Sequence, residues 1–225
     1  MNSANKFRVA AIVVAALTAV YAFASVFSEI FSPRHQALPA DLSKIAVQAP
    51  GPTAQWAAAI APFRADLEAN FASTVALMAL RPDNSALSAA DAQRNLNSQE
   101  DVVRVLKAAP HNSELWLLLA LLQTQHKSGG RQIIEALKMS YFTAPNDVQL
   151  MPLRLYTAAL ADALSDPDLG ELARGDVRLM LIRQPDLKSS VLFAYRHGSR
   201  LGKMFLEDTV QSIDPEFASV LRKGA

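Results

Sequence analysis

From Val9 to Ser28 the chain carries no charged residue, and that run constrains everything that follows it. As a helix the run measures ~30 Å, the thickness of a bilayer's hydrocarbon core. Lys6 and Arg8 precede it, Glu29, Arg34 and His35 follow it, and Tyr21, Phe23, Phe27 and Phe31 fall in or just beyond its second half. Cations ahead of the span keep residues 1–8 in the cytoplasm and send the remainder across. This pattern predicts a transmembrane signal anchor over 9–31, contacting the lipid bilayer directly. The chain is then a single-pass protein of the inner (cytoplasmic) membrane with its C-terminal body on the periplasmic side. Ala22-Phe23-Ala24 is also a small-x-small box of the kind cleaved from signal peptides, after Ala24. Apolar residues continue past it at Val26, Phe27, Ile30 and Phe31, which favours an uncleaved anchor. Both readings export the body. The chain has no cysteine, so export imposes no oxidative folding, and disulfides, thiolate metal sites and cysteine nucleophiles are excluded.

Residues 32–54 hold Pro33, Pro39, Pro50 and Pro52, a density that blocks a long helix and predicts an extended, Pro-rich spacer. A helical domain over 55–225 is expected beyond it. Trp56, Ile60, Phe63, Leu67, Phe71, Val75 and Met78 recur at steps of three and four, one apolar helix face, with Pro62 as a kink or as the true start. A short helix is expected over 86–96. Ser98 with Asp101 three residues on reads as a capping box opening another, closed at Ala109-Pro110. Ser113 to Lys127 is apolar all round and therefore buried. Gly129-Gly130 turns the chain into a helix over 131–143. The next runs from the Ala144–Asp147 stop to about Leu164. Asp166-Pro167 caps a helix over 169–183, and further helices end at Tyr195, Ser212 and Leu221. No segment alternates with period two, so the fold class is all-α.

Phrases recur along this domain: Arg-Pro-Asp at 81–83, Ala-Pro-His-Asn at 109–112, Ala-Pro-Asn-Asp at 144–147 and Gln-Pro-Asp at 184–186. The two fullest copies stand 35 residues apart. Within Ser113–Pro145, Trp116, Leu119 and Ala120 form a large-x-x-large-small pattern, and Leu137, Ser140 and Pro145 supply a large residue, a small residue and a closing proline. On these residues the domain resembles tetratricopeptide repeats, departing from their pattern at Gln123 and Ile133. The resemblance implies an antiparallel helix-pair solenoid after the anchor. It also implies a scaffold that binds a protein or peptide in a concave face lined by the first helix of each pair, as in cell-envelope or polysaccharide assembly and export. A purely structural module docking a second copy through the 56–78 face, and an envelope enzyme, are the alternatives.

The chemistry-bearing residues add little to this. His35, His111, His126 and His197 are too far apart to pair on one helix face, so no metal site is expected. No catalytic fingerprint and no cofactor motif is present. Lys and Arg number 22 against 21 Asp and Glu, which gives no footprint for nucleic acid. Asp162, Asp166, Asp168, Glu171 and Asp176 read as caps and solvated charges. Arg196, Arg200 and Lys203 stand at steps of four and three, so an unbroken helix would place all three on one face as a partner-binding patch. Trp116 and Tyr141 are expected in the core.

Overall fold

A computed structural model of the chain describes residues 3–33, 37–38, 49–51, 53–54, 56–57, 64–81, 87–126 and 130–223. The expectations for Arg34, His35, Pro39, Ile45, Val47, Pro52, Ile60, Pro62, Phe63, 82–86, Lys127 and Gly129 lie outside the described residues. Among the described residues there are ten α-helices and no strand. They are α1 (Ser3–Phe31), α2 (Ala65–Ala79), α3 (Ala89–Ala108), α4 (Ser113–Gln125), α5 (Gly130–Thr143), α6 (Met151–Leu160), α7 (Pro167–Ile182), α8 (Lys188–His197), α9 (Arg200–Ile213) and α10 (Pro215–Lys223). Short 3-10 turns stand at Ala163–Ser165 and Pro185–Leu187.

The stretch Asn5–Phe31 of α1 is long and apolar enough to cross a membrane, with mean hydropathy 2.3, and none of its most apolar window is buried. Phe23, Phe27 and Phe31 stack in succession along one side, with centroids 6.5 and 4.5 Å apart. The last turn behaves differently. Ser28 is fully buried, and Arg64, the residue before α2, reaches back to Glu29 at 2.7 Å while pairing with Asp66. Arg64 thus lies beside the last turn of α1. Leu38, within the Pro-rich stretch, is part of the body's core. Trp56 does not join the α2 face: it sits outside the helix and is 70% exposed.

The helix starts follow local chemistry. Asn112 accepts from the Leu115 amide at 3.0 Å, Asp166 from Leu169 at 2.9 Å, Ser199 from Gly202 at 3.0 Å and Asp214 from Phe217 at 3.0 Å. Each satisfies an amide that the first turn leaves orphaned. At α3 the capping box stands ten residues earlier than expected. Ser88 accepts from the Asp91 amide and donates to Asp91 Oδ2 at 2.7 Å. Ser98 lies buried inside a single helix, because nothing between Ala89 and Asn97 breaks the backbone and the Ser98-x-x-Asp101 spelling alone cannot. The helix expected to reach Leu164 ends instead at Leu160. Asp162 takes a left-handed conformation (φ 55°), which an aspartate tolerates better than most residues and which turns the chain into the 3-10 segment.

α2 packs on α3 and α4 on α5, two helical hairpins joined by α3–α4 and α2–α4 contacts. The regular pairing stops there. α6 packs most extensively on α8, not on its chain neighbour α7. The reason lies at Ala159, where the α8–α9 junction approaches so closely that the Ser199 amide donates to Ala159 O at 3.0 Å. Tyr156 of α6 meets Phe193 of α8 at 5.3 Å.

The Leu115–Leu122 run is core, as its all-round apolarity requires, and Tyr141 is buried. Trp116 is not. It is half-buried, its indole N–H donating to the Pro110 carbonyl at 2.8 Å. Trp116→Ala should therefore cost ~1–2 kcal/mol rather than the ~3–5 kcal/mol of a fully buried tryptophan. Urea unfolding followed by circular dichroism measures it, and a loss of ~3 kcal/mol or more would contradict the partial burial.

Candidate functional site

The three basic residues singled out in the sequence do not share a helix. α8 ends at His197, Gly198 is extended, and Ser199 caps α9, so Arg196 closes one helix while Arg200 and Lys203 open the next. Gly198-Ser199 breaks the register that would have aligned them. Arg196 and Arg200 are exposed, and the Lys203 ammonium sits over the Tyr195 ring at 5.6 Å. The Tyr195 hydroxyl donates to Glu207 at 2.6 Å, and that carboxylate holds the phenol above its ordinary pKa. Arg222 approaches the same Glu207 at 3.9 Å and donates to Gln211. Acidic side chains thus interleave with the basic ones at this junction.

A better-formed concavity lies between α5 and the turn after α6. It is an open groove of about 590 Å3 lined by Arg131, Ile134, Glu135 and Lys138 on one side and by Asp162 and Asp166 on the other. Arg131 and Glu135 pair one helical turn apart at 2.9 Å and are both well exposed. Lys138 bridges the groove floor to Asp166 at 2.7 Å and to Asp168 at 2.9 Å. Those carboxylates hold the Lys138 ammonium above its ordinary pKa, and Lys138 in turn holds Asp166 below the usual carboxylate range. The helix side thus carries both signs of charge, Arg131 and Lys138 with Glu135, the turn side carries Asp162 and Asp166, and Ile134 is the apolar residue in the lining.

Every residue of α4 and of α6 is buried or half-buried, whereas α2 exposes Asp66 and Met78.

Of the five carboxylates read as caps and solvated charges, Asp166 caps α7, Asp168 pairs with Lys138 and Glu171 pairs with Arg174 at 2.5 Å. Asp176 is the exception, only 2% exposed. It falls three residues after Ala173 and four before Met180, on the apolar stripe of α7, and that register was the available sequence signal. Across from it lies Arg154 of α6, which sequence reasoning passed over although it interrupts the apolar run Leu153–Tyr156. The Arg154 side chain is fully buried and donates three hydrogen bonds: Nε to Ser140 Oγ at 3.0 Å, Nη2 to Ser140 O at 2.6 Å and Nη1 to Ala144 O at 3.0 Å. The Ser140 hydroxyl continues to Ser113 O at 2.8 Å. One guanidinium therefore closes the C-terminal end of α5 and, through Ser140, reaches the start of α4. It also lies over the Tyr141 ring at 4.7 Å, and burial pulls its pKa down.

Among the described residues no group of histidine, aspartate and glutamate side chains is arranged to hold a metal ion. Compared with family models, curated proteins and solved structures, the chain matches none of them.

Proposed function

We propose that the chain is a membrane-anchored helical scaffold that presents its body at the outer face of the cytoplasmic membrane and binds a protein or peptide partner there. The observation that carries this reading is the contrast between α1, whose apolar window is wholly unburied, and a body with its own core. An apolar helix of that length left unburied needs a lipid solvent. The Glu29–Arg64 pair supports a body held close to the bilayer rather than on a long tether. Lys6 and Arg8 ahead of the span support export of the body. The mixed-charge groove between α5 and the Asp162 turn is the surface proposed for the partner, and the Arg196, Arg200 and Lys203 junction is a secondary one. The repeat resemblance, two successive hairpins and the exported body together favour a role in envelope or polysaccharide assembly.

Two measurements test the reading. Alkaline phosphatase fused after Ala225 should be active, whereas a fluorescent cytoplasmic fusion would overturn the topology. Arg131→Glu combined with Ile134→Glu, both on the groove rim, should reduce partner recovery from detergent extracts at least fivefold without changing helicity. Changing Arg196, Arg200 and Lys203 to Ser should reduce it less. Unchanged recovery with the groove variant would remove the groove from the proposal.

A further inference from the structure

Where α5, α6 and α7 meet, three polar side chains share one enclosed space: Tyr141, Arg154 and Asp176. All three are buried, and the hydrogen bonding is incomplete. Arg154 spends its donors on the Ser140 and Ala144 carbonyls and the Ser140 hydroxyl. Asp176 Oδ2 and the Tyr141 hydroxyl are enclosed and make no hydrogen bond of normal length, though they lie near enough to influence each other. From α5 the carboxyl is faced by Tyr141 and from α6 by Arg154. Among the described residues α8, α9 and the two 3-10 turns bring no other titratable group to it. A buried carboxylate with an unsatisfied oxygen is costly, and a neutral acid in the same place is far less so.

We propose that the Tyr141–Arg154–Asp176 cluster is a proton-linked clasp, in which one proton taken up at Asp176 tightens the joint between the α4–α5 hairpin and α6–α7 as the surrounding pH falls. Burial pushes the Asp176 carboxyl up to about 7, against the opposing pull of Tyr141 and of the Arg154 charge. In the unfolded chain the same group titrates near ~3.9. Between those values the folded body holds a proton that the unfolded chain has released. Stability from this group is therefore complete at low pH and is lost as pH rises through the window of about 4 to 7. The other shifted aspartates act outside that window. Asp66, Asp91, Asp166 and Asp214 are all held below the usual range, so their contributions are lost only at more acidic pH. This inference is independent of the groove and of any partner.

The test is the melting temperature of the full chain in detergent micelles at pH 5 and pH 8, with wild type beside Asp176→Asn. Linkage across that interval amounts to roughly a hundredfold change in the folding constant, or a rise of roughly 5–10 °C on acidification. Asp176→Asn should lose this rise and melt no lower than wild type at pH 8. A wild type with no acid rise relative to the variant overturns the clasp. Should the variant fail to fold, the infrared carboxylic-acid stretch of the wild type decides. A protonated carboxyl persisting at pH 6 supports the proposal, and complete ionisation by pH 5 overturns it. Tyr141→Phe removes the hydroxyl that favours the carboxylate, so it should move the midpoint upward, and a downward move counts against the cluster.

Discussion

Replacing Gly202 with alanine should destabilise the body by ~3 kcal/mol or more, a large part of the ~5–15 kcal/mol that holds a typical domain together. A Cβ at this position would stand 2.2 Å from the Ala159 carbonyl oxygen and 2.8 Å from its Cα and carbonyl carbon. All three contacts are backbone, so no side chain can rotate away to relieve them. α9 would have to move off α6, taking with it the Ser199 amide that donates to Ala159 O and the Ser199 cap on Gly202. The position matters beyond its own contact because α6 is held mainly by α8, and the α8–α9 junction is where that packing closes. Gly175 provides the control. It lies mid-helix in α7, exposed, with nothing within 4 Å of where a Cβ would stand. There alanine should stabilise by ~0.5–1 kcal/mol, through the lower entropy of the unfolded chain and better helix propensity. Thermal melts of the two variants should move in opposite directions. Equal or same-sign shifts would mean that the close approach of α9 to Ala159 is not what holds this end of the body.

That contact also shows where sequence reasoning stops. The long apolar helix α1, the all-helical class and the cap at Asp166 were legible because each rests on residues within a few turns of each other. A charge-free run and an Asp-Pro pair carry their meaning locally. Gly202 and Ala159 are distant in sequence, and neither announces the other. For the same reason the packing of α6 on α8, more extensive than its packing on α7, was invisible. The Arg196, Arg200 and Lys203 alignment failed for a local reason, since Gly198 ended the helix that the spacing assumed. Ser98 failed because a capping box needs a break before it, and Ala89–Asn97 supplies none. Asp176 was legible in principle, as an acid on an apolar stripe, but its neighbours Asp166, Asp168 and Glu171 are ordinary surface and capping groups that made the whole cluster read as solvated. Trp116 matched a repeat position, yet the position alone does not say which face of the hairpin is covered.

Arg154→Ala should cost ~3–5 kcal/mol, and its pattern across backgrounds should separate the cap from the charge. The truncation removes from Ser140 O and Ala144 O, at the end of α5, the guanidinium donors that reach them at 2.6 and 3.0 Å, leaving them the longer bonds from nearby amides. It also opens a cavity under the Tyr141 ring and leaves Asp176 without the cation that offsets its burial. Arg154→Lys keeps the charge but not the planar fork, and a single ammonium cannot serve both carbonyls and the Ser140 hydroxyl. It should recover less than half of the loss. Arg154→Met fills the volume without donors and should recover only the cavity part. If the charge matters to Asp176, then Arg154→Ala in an Asp176→Asn background should cost ~1–2 kcal/mol less than in the wild type, because no carboxylate remains to be stranded. Strict additivity would assign Arg154 to capping α5 alone. The pH profile gives a second readout: removing the guanidinium removes the positive charge that favours the carboxylate, so the midpoint of Asp176 should rise. Chemical unfolding at pH 5 and pH 8 reads both effects at once. The variant's deficit should be larger at pH 8, where the carboxylate would have to stay charged with no cation beside it. A deficit independent of pH would leave the α5 carbonyls as the whole reason for a buried arginine at this joint.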